Sequence, residues 1–145
     1  MTDELHKKVL GLLGFEVKHT ERGNWWVWLN SKWYQVETKS GFMTPVWAVT
    51  EDAAWAQVPT LDALMTPLMV VMMSTQAESD GSKFEIQMGF VFNKYHASLI
   101  SVSRHGVHVA IKTRVIHSTI AEAIAALFVA GVAREKVNPA TVVLP

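Results

Sequence analysis

The pattern of hydrophobic and polar positions is most regular near the C-terminal end, in the segment HSTIAEAIAALFVAGV at residues 117–132. Its large apolar residues recur at the spacing of one helix face, namely Ile120, Ile124, Leu127 and Phe128. Thr119 and Glu122 have the spacing of a capping box, in which the Glu side chain reaches back to the cap amide. Gly131 either ends the helix in a left-handed cap or permits a close contact within it. We therefore predict an Ala-rich helix that closes the hydrophobic core.

An alternating pattern before this helix predicts three antiparallel strands. The first spans residues 84–92, where polar residues separate Phe84, Ile86, Met88, Phe90 and Phe92. Such alternation is typical of a half-buried strand. Turn-forming residues at 93–94 and 104–106 separate it from two further apolar segments. We expect the three strands to form a meander that leads into the closing helix.

The N-terminal half reads as a helix, a short strand and an aromatic hairpin. Gly14 ends the expected first helix, and Asn30-Ser31 is a tight turn between strands at residues 25–29 and 33–36. We expect a loop at residues 40–45. Thr50 then caps a short helix that ends before Val58-Pro59, because the residue before proline avoids the helical region.

The segment at residues 61–73 leaves three interpretations open. Its leucines and methionines fit a helical stripe, but Pro67 lies inside that stripe. Pro67 could kink one helix, or it could begin a second helix capped by Thr66. A strand at residues 68–73 is the third interpretation, and helix is the one that we favour.

Composition narrows the class of protein. Half of the 145 residues are hydrophobic, the formal net charge is zero and cysteine is absent. Disorder, disulfides and thiolate chemistry are therefore excluded, and a long salt-dependent nucleic-acid interface is disfavoured. The sequence lacks the pattern of a signal peptide, and its longest apolar run is too short to span a bilayer. We expect a cytoplasmic protein that does not enter membranes and needs neither a metal nor another cofactor.

These patterns together predict the fold. We expect one α+β domain at residues 1–145, in which helices pack on an antiparallel sheet in an α-β-α sandwich-like arrangement. The meander lies in the C-terminal half, and the Ala-rich C-terminal helix closes the fold.

Two short segments resemble a known family. TEDAAWAQVP at residues 50–59 resembles a "DAA-x-A-x-VP" helix of small bacteriophage proteins, and TIAEAIAAL at residues 119–127 resembles the Ala-rich helix that ends them. The family is the phage ABA-sandwich domain, which also carries Trp-rich strands between these helices. It usually has proline where this chain has Ile120, and residues 61–82 resemble an insertion. The resemblance implies a phage origin and no established catalytic residues.

Two histidine motifs suggest an enzyme. His96-Ala97-Ser98 and His117-Ser118-Thr119 both match the His-x-Ser/Thr pattern of two-histidine phosphoesterases, whose histidines act as general base and acid. Those enzymes take one motif from each half of a pseudo-symmetric fold, whereas these two motifs are close together in the sequence. The second motif also has a simpler use as a helix cap. We therefore assign no catalytic residue.

A histidine pair on a predicted turn suggests a metal site. His105 and His108 form H-x-x-H, and Glu85 or His96 could supply a third ligand if the strands align. Solvent-exposed histidines on a turn explain the pair more simply.

The aromatic hairpin is the clearest candidate for binding. Alternate residues of a strand point to opposite faces, so part of the cluster lies off the core unless helices cover both faces. Burial in the core is the favoured interpretation, and a surface for stacking or protein binding is the alternative. The candidate binding residues are Trp25, Trp26, Trp28, Trp33, Tyr34, Arg104, His105 and His108.

These observations favour binding over catalysis. We expect a small phage accessory protein that binds a host protein or protein complex, in the form of an anti-defence inhibitor such as an anti-CRISPR. A nucleotide- or nucleic-acid-binding module that uses the tryptophans with Arg104, Lys112 and Arg114 is the alternative. The order helix–three strands–helix also resembles the double-stranded RNA-binding domain, although Glu122 stands where that domain needs basic residues. Spare apolar surface favours a homodimer.

Overall fold

Helices and antiparallel sheets occur in two groups along the chain. In the computed structural model, which describes residues 3–75, 77 and 82–144, the chain divides into two compact units, Met1–Pro59 and Thr60–Pro145. Each unit has its own helices and its own antiparallel sheet. The predicted α+β class is therefore confirmed, and the expectation of a single domain stays a prediction.

The first unit begins with a capped helix and continues as a small sheet. Its elements are α1 (Glu4–Leu12), β1 (Phe15–His19), β2 (Trp25–Leu29), β3 (Lys32–Trp33), β4 (Gln35–Glu37), β5 (Met43–Pro45), β6 (Trp47–Ala48) and α2 (Glu51–Trp55). Strand β2 pairs antiparallel with β1, β3 and β6, while β4 and β5 form a separate two-stranded hairpin. Asn30 and Ser31 have φ values of 51° and 65°, which is the tight turn predicted for them.

The prediction of a loop at residues 40–45 is wrong for residues 43–45. Residues 43–45 form β5, which pairs with β4 through the partners Val36 and Thr44. The sequence did not predict this strand, because Pro45 cannot donate a hydrogen bond to a neighbouring strand and therefore argues against a strand. Here Pro45 is the last residue of a hairpin strand, a position that proline tolerates.

The two helices of the first unit pack on one face of its sheet. Helix α1 contacts β1, and α2 contacts β1, β2 and β6. Buried apolar residues of the helices pack against buried apolar residues of the sheet and form a small core. Its members are Val9, Leu10, Leu13, Phe15, Val27, Val46, Ala48, Ala54 and Val58. The side chains at the intervening positions of β2 therefore point away from this core.

The second unit has the order helix, three strands, helix. Its elements are α3 (Leu61–Ser74), β7 (Glu85–Val91), β8 (Lys94–Ser103), β9 (Gly106–His117) and α4 (Ile120–Ala133), followed by a 3₁₀ turn (Pro139–Thr141). The predicted meander is confirmed, with β8 between β7 and β9. Helix α3 is continuous through Pro67, so helix is the correct interpretation of that segment and Pro67 begins no second helix.

The core of the second unit lies between α3, α4 and one end of the sheet. Its fully buried large side chains are Leu64, Leu68, Met72, Leu99, Ile111, Ile124, Leu127 and Phe128. The other end of the sheet is open: Phe90 is 59% exposed, Phe92 94% and Ile116 82%. The apolar face of the strand predicted at residues 84–92 is therefore buried only as far as Ile86, and beyond it the prediction of a half-buried strand is wrong. Ile120, which the helical stripe includes, is 45% exposed at the first position of α4.

Both ends of α4 have defined caps. Thr119 Oγ1 accepts from the Glu122 amide at 3.2 Å, as predicted. The Glu122 carboxylate accepts from the Thr119 hydroxyl at 3.0 Å and lies 3.1 Å from His117 Nδ1, so its predicted contact with the cap amide is replaced by these two side-chain contacts. At the other end Gly131 stays within the helix and Glu135 takes the left-handed conformation, with φ 57°. A Cβ atom at Gly131 would lie 2.8 Å from the Val137 side chain, so Gly131 permits a close contact, the second of its two predicted roles.

Candidate functional site

Four tryptophans share one face of the first sheet. Trp28 pairs directly with Trp33, and Trp26 pairs with Trp47. The rings of Trp26 and Trp33 are stacked with centroids 5.0 Å apart, and Trp28 meets Trp33 edge-on at 5.8 Å. Trp47 lies 6.2 Å from Trp26. We call this set, Trp26, Trp28, Trp33 and Trp47, the tryptophan face.

The alternation of β2 explains why these rings are not in the core. Val27 points to the helices and is fully buried, so its neighbours Trp26 and Trp28 point to the opposite face. On that face Trp33 remains 48% exposed and Trp47 remains 47% exposed. For Trp33 the favoured prediction of core burial is therefore wrong, and Trp26 and Trp28 are only partly buried, because α1 and α2 cover the other side of the sheet.

A charged pair borders the tryptophan face. In β1, Glu16 lies across from Trp28 and Lys18 lies across from Trp26. Lys18 Nζ is 2.9 Å from the Glu16 carboxylate and 5.7 Å from the centroid of the Trp28 ring. Both side chains are largely exposed, so this ion pair adds little to stability. An aromatic centre with a charged border is the usual composition of a protein-binding surface.

Two of the predicted aromatic residues lie on the other face. Trp25 is partly buried, with its ring centroid 4.9 Å from that of His19. Tyr34 meets the buried ring of Phe15 edge-on at 5.0 Å, and partial burial raises the pKa of its phenol above the ordinary value of 10.0. The structure therefore separates Trp25 and Tyr34 from the other candidate aromatics.

Trp47 is a member of the face that sequence reasoning missed. It belongs to a two-residue strand whose partner, Trp26, lies about twenty residues earlier. Periodicity within so short a strand is not recognisable, so its face is set only by long-range pairing. The indication that could have found it is its aromatic character at a position three residues before the cap residue, Thr50.

Arg104, His105 and His108 belong to the second unit and are exposed at or next to the turn between β8 and β9. The His105 amide donates to the Ser103 hydroxyl at 3.2 Å, which is an ordinary turn contact. In the described part of the chain, no three His, Asp or Glu side chains converge as a metal site requires. The residues that the structure describes thus supply no third ligand for the H-x-x-H pair.

The two motifs of the phosphoesterase hypothesis face opposite sides of the second sheet. His117 is the cross-strand partner of Tyr95 and contacts Glu122. His96 follows Tyr95 and therefore points to the other face, where its ring lies over Gly89. A base and an acid that share one phosphodiester must converge on it, and these side chains do not.

Lys112 and Arg114, which the sequence suggested for phosphate binding, do come together at the open end of the second sheet. With Lys94 and His96 they line a cleft of about 560 Å³. Arg104 is not among the lining residues. In the first turn of α4, Glu122 occupies the place where a double-stranded RNA-binding domain needs basic residues, as the sequence indicated.

Among the described residues, no helix is both long and apolar enough to cross a membrane. Comparison of the chain with protein-family models, with curated proteins and with solved structures finds no match.

Proposed function

We propose that this chain acts without catalysis, by binding another protein through the tryptophan face. The observation that carries the proposal is the placement of four contacting tryptophans on a sheet face whose outer two rings are about half exposed. Tryptophan is enriched among the residues that dominate interface energies, and contiguous exposed apolar surface on a soluble protein marks binding sites.

The arrangement of the rings suits binding. Trp26 is held between Trp33 and Trp47, so these side chains lose little further freedom when a partner covers them. A preorganised surface retains more of its contact energy as affinity. Burying apolar area contributes about 25 cal/mol per Å², so covering two half-exposed indoles would supply several kcal/mol.

The more specific form of the proposal is a phage accessory protein that acts in the cytoplasm of a bacterial host. In this form the partner is a host protein or complex, and the protein inhibits a defence system such as CRISPR or nucleotide signalling. The support is the resemblance of residues 50–59 and 119–127 to helices of phage proteins. A homodimer through the tryptophan face is the competing use of the same surface.

Capture from bacterial lysate tests the proposal. Tagged wild-type protein, the double variant Trp33→Ala/Trp47→Ala and a control double variant would be compared with and without nuclease. The control, Phe42→Ala/Met43→Ala, removes two exposed apolar side chains of the same unit at the separate β4–β5 hairpin. Circular dichroism would confirm that each variant folds.

We expect one stoichiometric protein that survives nuclease and is retained by the control but lost from the tryptophan variant. Truncating an interface tryptophan costs about 2 kcal/mol or more, which is at least a thirtyfold loss of affinity. Equal capture by all three proteins would contradict the proposal. A partner that nuclease removes would favour the alternative function, nucleic-acid binding, and concentration-dependent self-association alone would favour the homodimer.

A further inference from the structure

The open end of the second sheet contains a concave, basic site that the proposed function does not use. Its lining consists of Val91, Phe92, Lys94, Tyr95, His96, Lys112, Arg114, Val115 and Ile116. The volume, about 560 Å³, is within the range of small-ligand sites. All nine residues belong to the second unit, so the site is complete within it.

An irregularity in β9 creates the cleft. Tyr95 pairs with His117 and Ala97 pairs with Thr113, so three residues of β9 stand opposite the single residue His96. Extra residues in one strand bend it and redirect its side chains, which is why bulges are frequent at binding sites. The three residues of β9 at this irregularity are Arg114, Val115 and Ile116, and all three line the cleft.

Gly89 sets the position of the His96 ring. The two residues are cross-strand partners, and a Cβ atom at Gly89 would collide with the ring of His96. Glycine therefore allows the imidazole to lie across β7. The ring is on the same face of the sheet as Lys112, because the cross-strand partner of Lys112 is Ser98, two residues after His96 in β8.

The charge of the lining is one-sided. Lys94, Lys112 and Arg114 carry three positive charges, and no described residue of the lining is a carboxylate. Such a group of cations without counter-charges attracts anions, and Arg with Lys is the usual pair for phosphate. Apart from His96, the remaining lining residues are aliphatic or aromatic, and the ring of Phe92 is 94% exposed.

We propose that this cleft binds a nucleoside phosphate, with its phosphates on Lys94, Lys112 and Arg114 and its base against the exposed ring of Phe92. The inference is independent of the proposed function, since it uses residues of the other unit. Stacking of a base on an aromatic ring and ion pairing of its phosphates are separable contributions.

Calorimetric titration with ADP, adenosine and inorganic phosphate tests both contributions. We expect ADP to bind, adenosine to bind at least tenfold more weakly because it lacks phosphate, and inorganic phosphate to bind at least tenfold more weakly because it lacks a base. Lys112→Ala/Arg114→Ala should weaken ADP binding at least tenfold. A matched variant, Arg104→Ala/Lys83→Ala, removes the same charge from exposed sites outside the cleft. This variant should change the affinity for ADP less than twofold.

A second variant tests the contact of the base with Phe92 without changing charge. Phe92 is nearly fully exposed, so Phe92→Ala should leave folding intact and weaken ADP binding at least threefold while leaving phosphate binding unchanged. Absence of ADP binding, or equal losses in the two charge variants, would overturn the inference. Inorganic phosphate that binds as tightly as ADP would overturn the assignment of a nucleoside.

Discussion

The C-terminal end of α4 allows a quantitative test of the structure. Glu135 N–H donates to the Val132 carbonyl at 3.1 Å and Lys136 N–H donates to the Gly131 carbonyl at 2.9 Å. This is the hydrogen-bond pattern of a Schellman motif, whose left-handed residue is usually glycine. Glu135 occupies that position with φ 57°.

Replacing Glu135 by glycine should therefore stabilise the protein. The left-handed conformation costs an L-residue roughly 1–2 kcal/mol, and glycine avoids this cost. Glycine in turn loses about 0.4–1 kcal/mol through the larger entropy of the unfolded chain. The net expectation is a gain of roughly 0.5–1 kcal/mol for Glu135→Gly.

Denaturant unfolding followed by circular dichroism measures this gain. Glu135→Ala is the control, because it removes the same carboxylate from a helix C-terminus but keeps the Cβ atom. We expect Glu135→Gly to be more stable than Glu135→Ala by about 1 kcal/mol. Equal stability of the two variants would show that residue 135 is not left-handed, and would refute the cap described here.

Three further substitutions test the N-cap of α4, the backbone conformation at Gly14 and the burial of Tyr34. Thr119→Ala removes the N-cap of α4 and should cost about 1 kcal/mol in thermal or denaturant unfolding, whereas Thr119→Ser should retain most of that stability. Gly14→Ala should destabilise the first unit by more than 1 kcal/mol, because Gly14 has φ 97° and an added Cβ atom would collide with the Asn30 side chain. Tyr34→Phe tests the pKa of Tyr34, which burial raises in the folded state. As the pH rises above about 10, the unfolded chain loses its phenolic proton first, so wild-type stability should fall relative to the variant above pH 10 and stay parallel to it below. Parallel curves throughout would contradict the burial of this phenol.

Local patterns predicted the elements of this fold well where they were long or strongly marked. The capping residue Thr119, the tight turn at Asn30-Ser31 and the meander are all found where the sequence placed them. Each depends on interactions within a few residues or on a sustained alternation, which a sequence displays directly. Short strands such as β5 and β6 were missed because their existence depends on partners far away in the chain.

The candidate site was only partly predictable for the same reason. Alternation showed that the aromatic residues of β2 divide between two faces, but the sequence could not reveal which face α1 and α2 cover. Trp26, Trp28 and Trp33 proved to share the exposed side, while Trp25 lies on the core side. The basic cleft depends on the register shift in β9. Hydrophobic periodicity does not predict such a shift, because residues in a bulge do not follow the regular alternation between the two faces of a sheet.

Binding of a partner protein to the tryptophan face can be observed at the rings themselves. Nuclear magnetic resonance would follow the indole N–H groups of the ¹⁵N-labelled protein while the captured partner protein is added. We expect the signals of Trp33 and Trp47 to shift or broaden, because their rings are half exposed on the tryptophan face. Trp55, whose indole donates to Glu51 at 3.4 Å within α2, is the internal reference and should remain unchanged. Perturbation of Trp55 with unchanged Trp33 and Trp47 would place the partner on the helices and contradict the account.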